Sequence, residues 1–327
     1  MTGGSGFMGK RLIEALDARG IPVMALARSE QSAIAVRSVG AEPVRGDLDD
    51  EQAMREGLKE CDVVFHAAAH TQETGKLETF LQVTVQGTKN VLSAAQATGV
   101  ARFVHVGTEA VLADGKPIVR ADETRPHAVK PMGPYPLSKS LAEQAVLAAN
   151  APGFDTVVVR PRLIWGKGDT NMLPKILDAV RKKRFGWIGG GHYLTSTCHV
   201  ANAVEGALLA AEKGQPGEVY FLTDGEPVDF RDFVTAMCKT QGVDPGDRVV
   251  PRWIASTTAT LTSWMRQPPL TKVALALIGH EVTVVDAKAR RDLGYVGKMS
   301  RADGLAEMAV GDAAPQREPV ASLLPQR

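Results

Sequence analysis

The chain opens Thr2-Gly3-Gly4-Ser5-Gly6-Phe7-Met8-Gly9, with glycines in a G-x-x-G-x-x-G spacing just ahead of an amphipathic stretch from Lys10 to Arg19. Glycine lets backbone N–H groups close on a pyrophosphate, and a helix N-terminus adds unsatisfied donors and a dipole that favour an anion. The pattern predicts a dinucleotide-binding turn at Gly3, Gly6, Phe7, Met8 and Gly9. A Gly-rich turn before a helix is common, so the rest of the chain must supply the chemistry.

Downstream, strand and helix patterns alternate. Ile21 to Ala27 reads as a strand, Glu30 to Val39 as a helix, Glu42 to Arg45 as a short strand, Glu51 to Lys59 as a helix and Asp62 to His66 as a buried strand. A helix over Phe80 to Thr98, a strand over Phe103 to Val106, a helix over Leu137 to Asn150 and a strand over Thr156 to Arg160 continue the series. Such repetition implies an α/β fold of Rossmann type, a doubly wound parallel sheet with right-handed crossovers and its ligand at the strand C-terminal ends.

Tyr135 and Lys139 stand four apart in Pro134-Tyr135-Pro136-Leu137-Ser138-Lys139. On a helix that spacing stacks the two side chains, and Pro136 suits a first helical turn. A free phenol titrates near ~10, and a neighbouring ammonium lowers that value, so the pair is read as an acid/base looking for a hydride partner. Arg28 closes the second strand about 20 residues past the glycines, where Arg suits the 2′-phosphate of NADP and an acidic residue would suit NAD. The cofactor is therefore NAD or NADP, with NADP favoured.

Together these motifs resemble the extended short-chain dehydrogenase/reductases of the NAD-dependent epimerase/dehydratase superfamily. Gly46-Asp47-Leu48, Val63 to Ala69, Val85-Gln86-Gly87-Thr88-Lys89-Asn90-Val91 and Arg160-Pro161-Arg162-Leu163-Ile164-Trp165-Gly166 agree with it in order. Gly217 to Gly225 and Lys288 to Tyr295 look most like the 3β-hydroxysteroid dehydrogenase branch. The resemblance implies that Asp47 and Leu48 flank the adenine, that Ala67, Ala68 and Ala69 form a small-residue wall, and that Lys139 also bonds the nicotinamide ribose. It adds Arg160 and Pro161 to the cofactor set and gives Thr108 the role of bonding the substrate oxygen beside Tyr135. Thr84 stands where the family often has Asn, and His199 falls near a segment lining the substrate lobe; neither role is assigned. Family members often pair through helices flanking the active site, so the resemblance admits a homodimer, while the sequence itself does not set the oligomeric state.

One departure concerns the start of the chain. The family runs a buried apolar strand into the glycine turn, whereas only Met1 precedes Thr2 here, so the first β-strand is missing from this sequence. That strand is central and covered on both faces, and several buried Val, Leu or Ile at ~1.5–3 kcal/mol each rival a whole domain's net stability. The expectation is that the natural product begins upstream, with Met1 standing where a GTG Val codon is read as the start. A stop codon immediately before Met1 in the genomic sequence would refute it.

At 327 residues two lobes are expected, a dinucleotide domain over 1–160 and a smaller substrate lobe over 161–310 interleaved with late sheet strands. Three prolines and few apolar residues make 311–327 a disordered tail. A net charge of +1 gives no footprint for nucleic acid. Cys61, Cys198 and Cys238 lack a C-x-x-C pair, which favours a reducing compartment, with the cytoplasm as the expected address, and argues against a disulfide framework or zinc site. No metal is expected: His66, His70 and Cys61 straddle a strand end, and Arg181-Lys182-Lys183-Arg184 reads as a solvated helix end. No apolar run is long enough for a membrane span, although Trp253 to Ile278 is fairly apolar and reads as a helical lid, with a membrane-grazing lid as the alternative.

Trp253, Trp264 and the apolar run around them favour a small hydrophobic substrate, an alcohol or ketone of sterol-like character, over a diphosphate-sugar that would want fixed cations. A nucleotide-sugar epimerase or dehydratase is the first rival; dehydratases carry Thr-Asp-Glu where this chain reads Thr108-Glu109-Ala110. A non-catalytic NADP-binding regulator is the second, and such proteins usually lose the Tyr/Lys pair that is intact here.

Overall fold

The computed structural model describes residues 1–309 apart from 73, 263, 266 and 267; the expected tail at 311–327 lies outside the described residues. Strands β1 (Val23–Ala27), β2 (Ala41–Arg45), β3 (Val63–His66) and β4 (Arg102–Val106) lead to β5 (Ile118–Ala121) and β6 (Asp155–Pro161). β3, β4, β6 and Val219–Leu222 form one parallel sheet, and β1 pairs in parallel with β2 beside it. β6 is buried at nearly every position, as a strand covered on both faces must be.

Met1 and Thr2 join the two pieces. Met1 accepts from Leu26 N at 2.9 Å, while Thr2 donates to Phe65 O at 3.0 Å and accepts from Ala67 N at 3.2 Å. These two residues therefore lie in the central position between β1 and β3. Beside them is an apolar cavity of about 30 Å³ lined by Met24, Leu26, Leu58, Val64 and Val91.

Helix α1 (Phe7–Asp17) packs with α8 (Val200–Lys213) on one face of the sheet. Leu12, Ile13 and Leu16 of α1 turn inward at helical spacing onto Val23, Ala25 and Val104. α2 (Glu30–Arg37) packs on β1 and β2. The other face carries α3 (Glu51–Leu58), α5 (Gly87–Ala97) and α6 (Pro134–Ala148), whose core includes Met54, Val91, Leu92 and Val146. Residues 80–98, read as one helix, are instead α4 (Leu77–Phe80), a π-helical turn at Leu81–Gln86 and then α5. In that wide turn Thr84 is buried, its hydroxyl accepting from His70 N at 3.0 Å and its carbonyl from the Thr88 hydroxyl at 2.6 Å.

The second half builds around Trp165, Trp187, Phe230 and Phe233, with α7 (Leu173–Arg181) and α9 (Phe230–Lys239) enclosing them. The stretch read as a lid is two helices, α10 (Arg252–Leu261) and α11 (Lys272–Ile278), packed on each other. No helix among the described residues is long and apolar enough to cross a membrane.

Candidate active site

Five segments that each follow a parallel strand converge on one cavity of about 730 Å³: Arg28 after β1, Asp47 and Leu48 after β2, Ala67 to Ala69 after β3, Gly107 and Thr108 after β4, and Pro161 to Ile164 at the end of β6. Parallel strands aim all their C-terminal ends the same way, so residues distant in sequence meet there. Gly3, Gly6, Phe7, Met8, Gly9, Tyr135 and Lys139 line the same cavity.

The glycine turn is built by close approach. Gly3 sits at φ +72°, and a Cβ on it would come within 2.6 Å of the Ala67 carbonyl carbon and 2.7 Å of Ala68 N. A Cβ on Gly9 would run into the Gly3 carbonyl oxygen. Gly6 N donates to Gly3 O at 3.1 Å, and α1 then starts at Phe7 with no side-chain cap, whereas α2 and α3 are capped by Ser29 and Asp50. Open N–H donors at a helix start, walled by glycine and alanine backbone, fit a pyrophosphate.

Thr2 anchors this turn from below. Its hydroxyl bonds His66 Nδ1 at 2.7 Å, and His66 Nε2 bonds Thr88 Oγ1 at 2.8 Å. Burial, then the Lys139 charge, pushes the His66 imidazole down to about 3 and holds it neutral. Both its nitrogens are engaged by hydroxyls, as a structural histidine's are.

α6 begins three residues earlier than its apolar pattern indicated, with Gly133 at φ +108° before Pro134, so Tyr135 and Lys139 share a continuous helix. The Lys139 ammonium donates to Val106 O at 2.7 Å and reaches His105 Nε2 at 3.4 Å. The expected lowering of the phenol by this ammonium is absent. Burial, and then the Glu109 carboxylate, push Tyr135 up to about 12, opposed by a hydrogen bond with the Thr108 hydroxyl. Lys139 itself is pushed down to about 8 by burial, opposed by Glu143. The ammonium is bound to the β4 backbone, and a phenol enclosed by protein loses more from desolvation than a charge one turn away returns.

Arg160 is the one candidate that does not line the cavity. Its Nε donates to Glu143 Oε2 at 3.1 Å and its guanidinium lies 5.3 Å from the Phe221 ring centroid, so it braces α6 against β6. Its neighbour Arg162, not singled out in the sequence, faces the cavity in a buried ion pair with Glu109 at 3.0 Å and donates to Leu277 O of α11 at 2.8 Å. Glu109 also accepts the Thr108 hydroxyl proton at 2.9 Å. The second arginine of Arg160-Pro161-Arg162 was the available signal, but side-chain direction at a strand end is not readable from type.

The same cavity is also lined by apolar side chains of the second half, Met172, Ile176, Phe230, Val273 and Leu277, with Thr170, Asn171 and Lys175 at its wall. Trp253 and Trp264, counted toward this compartment in the sequence, are outside it: they are 70% and 84% exposed. His199 is not at the cavity either. Its Nδ1 accepts from Ala201 N at the start of α8, and its ring lies edge-on to Trp165.

Comparison with known proteins agrees with this arrangement. The model of a family described as the 3-beta hydroxysteroid dehydrogenase/isomerase family matches residues 1–252. A 4-hydroxy-2-methyl-3-oxo-4-farnesyl-3,4-dihydroquinoline-1-oxide ketoreductase of Stigmatella aurantiaca is 50% identical, covering 93% of this chain and 93% of its own. A decarboxylating sterol-4-alpha-carboxylate 3-dehydrogenase of Dictyostelium discoideum is 35% identical over 94% of this chain and 98% of its own. Among solved structures, a dTDP-glucose 4,6-dehydratase of Streptomyces venezuelae with NAD bound superimposes at a TM-score of 0.75 with 23% identity, covering 94% of each chain, a likeness of fold.

Proposed function

The chain belongs to the 3-beta hydroxysteroid dehydrogenase/isomerase family, and on that footing we propose that it reduces a hydrophobic ketone to its secondary alcohol with NADPH. It is an oxidoreductase interconverting a hydrophobic alcohol and its ketone, as its ketoreductase and sterol dehydrogenase relatives are; the direction, the NADP preference and the residue roles are the proposal. One observation carries it: Tyr135 and Thr108 line the same cavity as the glycine turn and as the apolar side chains Met172, Ile176, Phe230, Val273 and Leu277.

Bound along the glycine turn, the nicotinamide cofactor supplies the hydride. Arg28, exposed at the wall of the cavity, receives the 2′-phosphate. The Tyr135 hydroxyl holds the substrate oxygen, and the Thr108 hydroxyl, which donates to Glu109 in this structure, turns to that oxygen when the substrate binds. Because burial keeps the phenol protonated at neutral pH, Tyr135 starts as an acid, and its proton passes to that oxygen as the carbonyl carbon is reduced. The Lys139 charge, one turn along α6, offsets the phenolate left behind. Met172, Ile176, Phe230, Val273 and Leu277 take the apolar body of the substrate.

A sugar-nucleotide substrate is disfavoured by the same lining. Glu109 is engaged by Arg162 and Thr108, which leaves it neither a free acid for dehydration nor Arg162 a free cation for a diphosphate. The test is turnover of a long-chain β-ketone, a 3-ketosteroid and UDP- or dTDP-sugars with NADPH and NADH. Tyr135→Phe is expected to lower kcat by about 10²–10⁴-fold while leaving the cofactor dissociation constant within a factor of a few. Turnover of sugar nucleotides alone would overturn the substrate reading, and an unimpaired Tyr135→Phe would remove Tyr135 from the proton transfer.

A further inference from the structure

Glu109 and Arg162 form an ion pair at the cavity and are only 3% and 2% exposed. Taking two charges out of water costs about as much as their attraction returns, and apolar side chains of similar size would pack as well. Stability alone therefore gives no reason for a charged pair at a cavity that Met172, Ile176, Phe230, Val273 and Leu277 also line. Its orientation gives one.

The carboxylate end adjoins the reacting groups. Glu109 Oε1 takes Arg162 Nη1 at 3.0 Å, and its Oε2 accepts the Thr108 hydroxyl at 2.9 Å. Its charge reaches Tyr135, where it adds to burial in raising the phenol. The guanidinium end is bound by protein: Nη2 donates to Leu277 O at 2.8 Å and to Thr195 Oγ1 at 3.2 Å. The other cations at the cavity have their own places. Lys139 donates to Val106 O, Lys175 is not free, and Arg28 lies just past the end of β1. A substrate oxygen held at Tyr135 and Thr108 thus has a fixed negative charge for a neighbour.

A ketone with a carboxylate on the adjacent carbon, a 3-oxo acid, would set two like charges close together against buried protein. Such repulsion, partly offset by Arg162, amounts to about ten- to a hundredfold in binding. We propose that Glu109, held by Arg162, is a specificity-determining residue that excludes 3-oxo acids and admits neutral ketones such as their esters and amides. The choice among ketones rests on the reading of the site given above.

The experiment compares a long-chain 3-oxo acid, freshly released from its ester, with its methyl ester and its primary amide, using the full chain and saturating NADPH. In wild type kcat/KM is expected to favour both neutral forms by about tenfold or more. Desolvation disfavours an acid in any apolar pocket, so the variants carry the assignment. Glu109→Gln keeps the shape, removes the charge and leaves Arg162 uncompensated; the amide-to-acid ratio is expected to fall by about ten- to a hundredfold. Glu109→Asp keeps the charge and should keep the ratio even where turnover drops. A lone buried cation destabilises a fold, so Glu109→Gln/Arg162→Gln, which removes both charges, is measured beside it, with a ratio expected about fivefold to tenfold below wild type. Wild type that takes the acid as readily as the amide, or a ratio unmoved in either Gln variant that folds, overturns the proposal and leaves the reading of the site standing. A ratio that falls equally in Glu109→Asp assigns the selection to shape and overturns it too. Wild type that reduces neither acid, ester nor amide sinks the reading of the site, and the selection with it.

Discussion

Proton states separate the residues of this site more sharply than distances do. Tyr135 stays a phenol to about 12, while Lys139 loses its proton near about 8. Reduction needs both protonated, so kcat/KM for NADPH should hold below pH 8 and fall above it, with the limb set by Lys139 and not by the phenol. Lys139→Arg keeps its charge at all accessible pH, and its lower activity should show no such limb; an unchanged limb would assign the titration elsewhere. Arg28 makes a separate prediction. Arg28→Ala should weaken NADP(H) by about tenfold to a hundredfold, the worth of a charge-assisted contact, and leave NAD(H) nearly unchanged. Equal losses for both cofactors would take the 2′-phosphate away from Arg28.

At the scale of elements, the start of α1 bears most of the demands made on the cofactor end. Gly9 has no room for a side chain because the Gly3 carbonyl lies under it, and Gly3 has none because the turn presses on Ala67 and Ala68. Gly9→Ala must push the turn and helix apart, which is expected to cost about 1–3 kcal/mol and several degrees in Tm. Cofactor affinity should fall with it, read by titration of NADPH fluorescence, while Gly20→Ala, with open space around its Cβ but φ of +70°, should leave affinity unchanged. The π-helical turn at Leu81–Gln86 shows a different dependence. Its apolar spacing reads as an ordinary helix, and it sits at the end of a buried polar chain running Thr2, His66, Thr88 and Thr84, whose first and last members are far apart in the sequence.

Across the whole molecule that buried chain should make the fold acid-sensitive. His66 titrates near about 3 when folded and near 6.5 when unfolded, so between those values the unfolded chain binds the extra proton. Stability is therefore complete above pH 6.5 and declines as pH falls toward 3, at up to about 1.4 kcal/mol per pH unit for this one group. His105, also lowered by burial first and by Lys139 next, adds in the same sense. Urea midpoints measured from pH 7 to 4 should fall, and His66→Gln, which keeps hydrogen-bonding capacity without a titrating ring, should flatten the curve. A midpoint independent of pH in the wild type would mean that the ring is hydrated or paired in a way this packing does not allow.

Order of elements, the glycine turn and the Tyr135–Lys139 spacing were readable in the bare chain, because they rest on local rules: side-chain period, glycine sterics and four residues to a helical step. These rules and the family resemblance placed the glycine turn and the strand-end residues at the cavity, but named none of its apolar wall at Met172, Ile176, Phe230, Val273 and Leu277. Long-range packing settled the rest. It sent the Lys139 ammonium to Val106 and raised the phenol, turned Arg160 to Glu143 and Arg162 to the cavity, and set Trp253 and Trp264 outside the compartment they seemed to serve. Desolvation and the choice among partners depend on which atoms fold around a group, and no neighbour in the sequence carries that information.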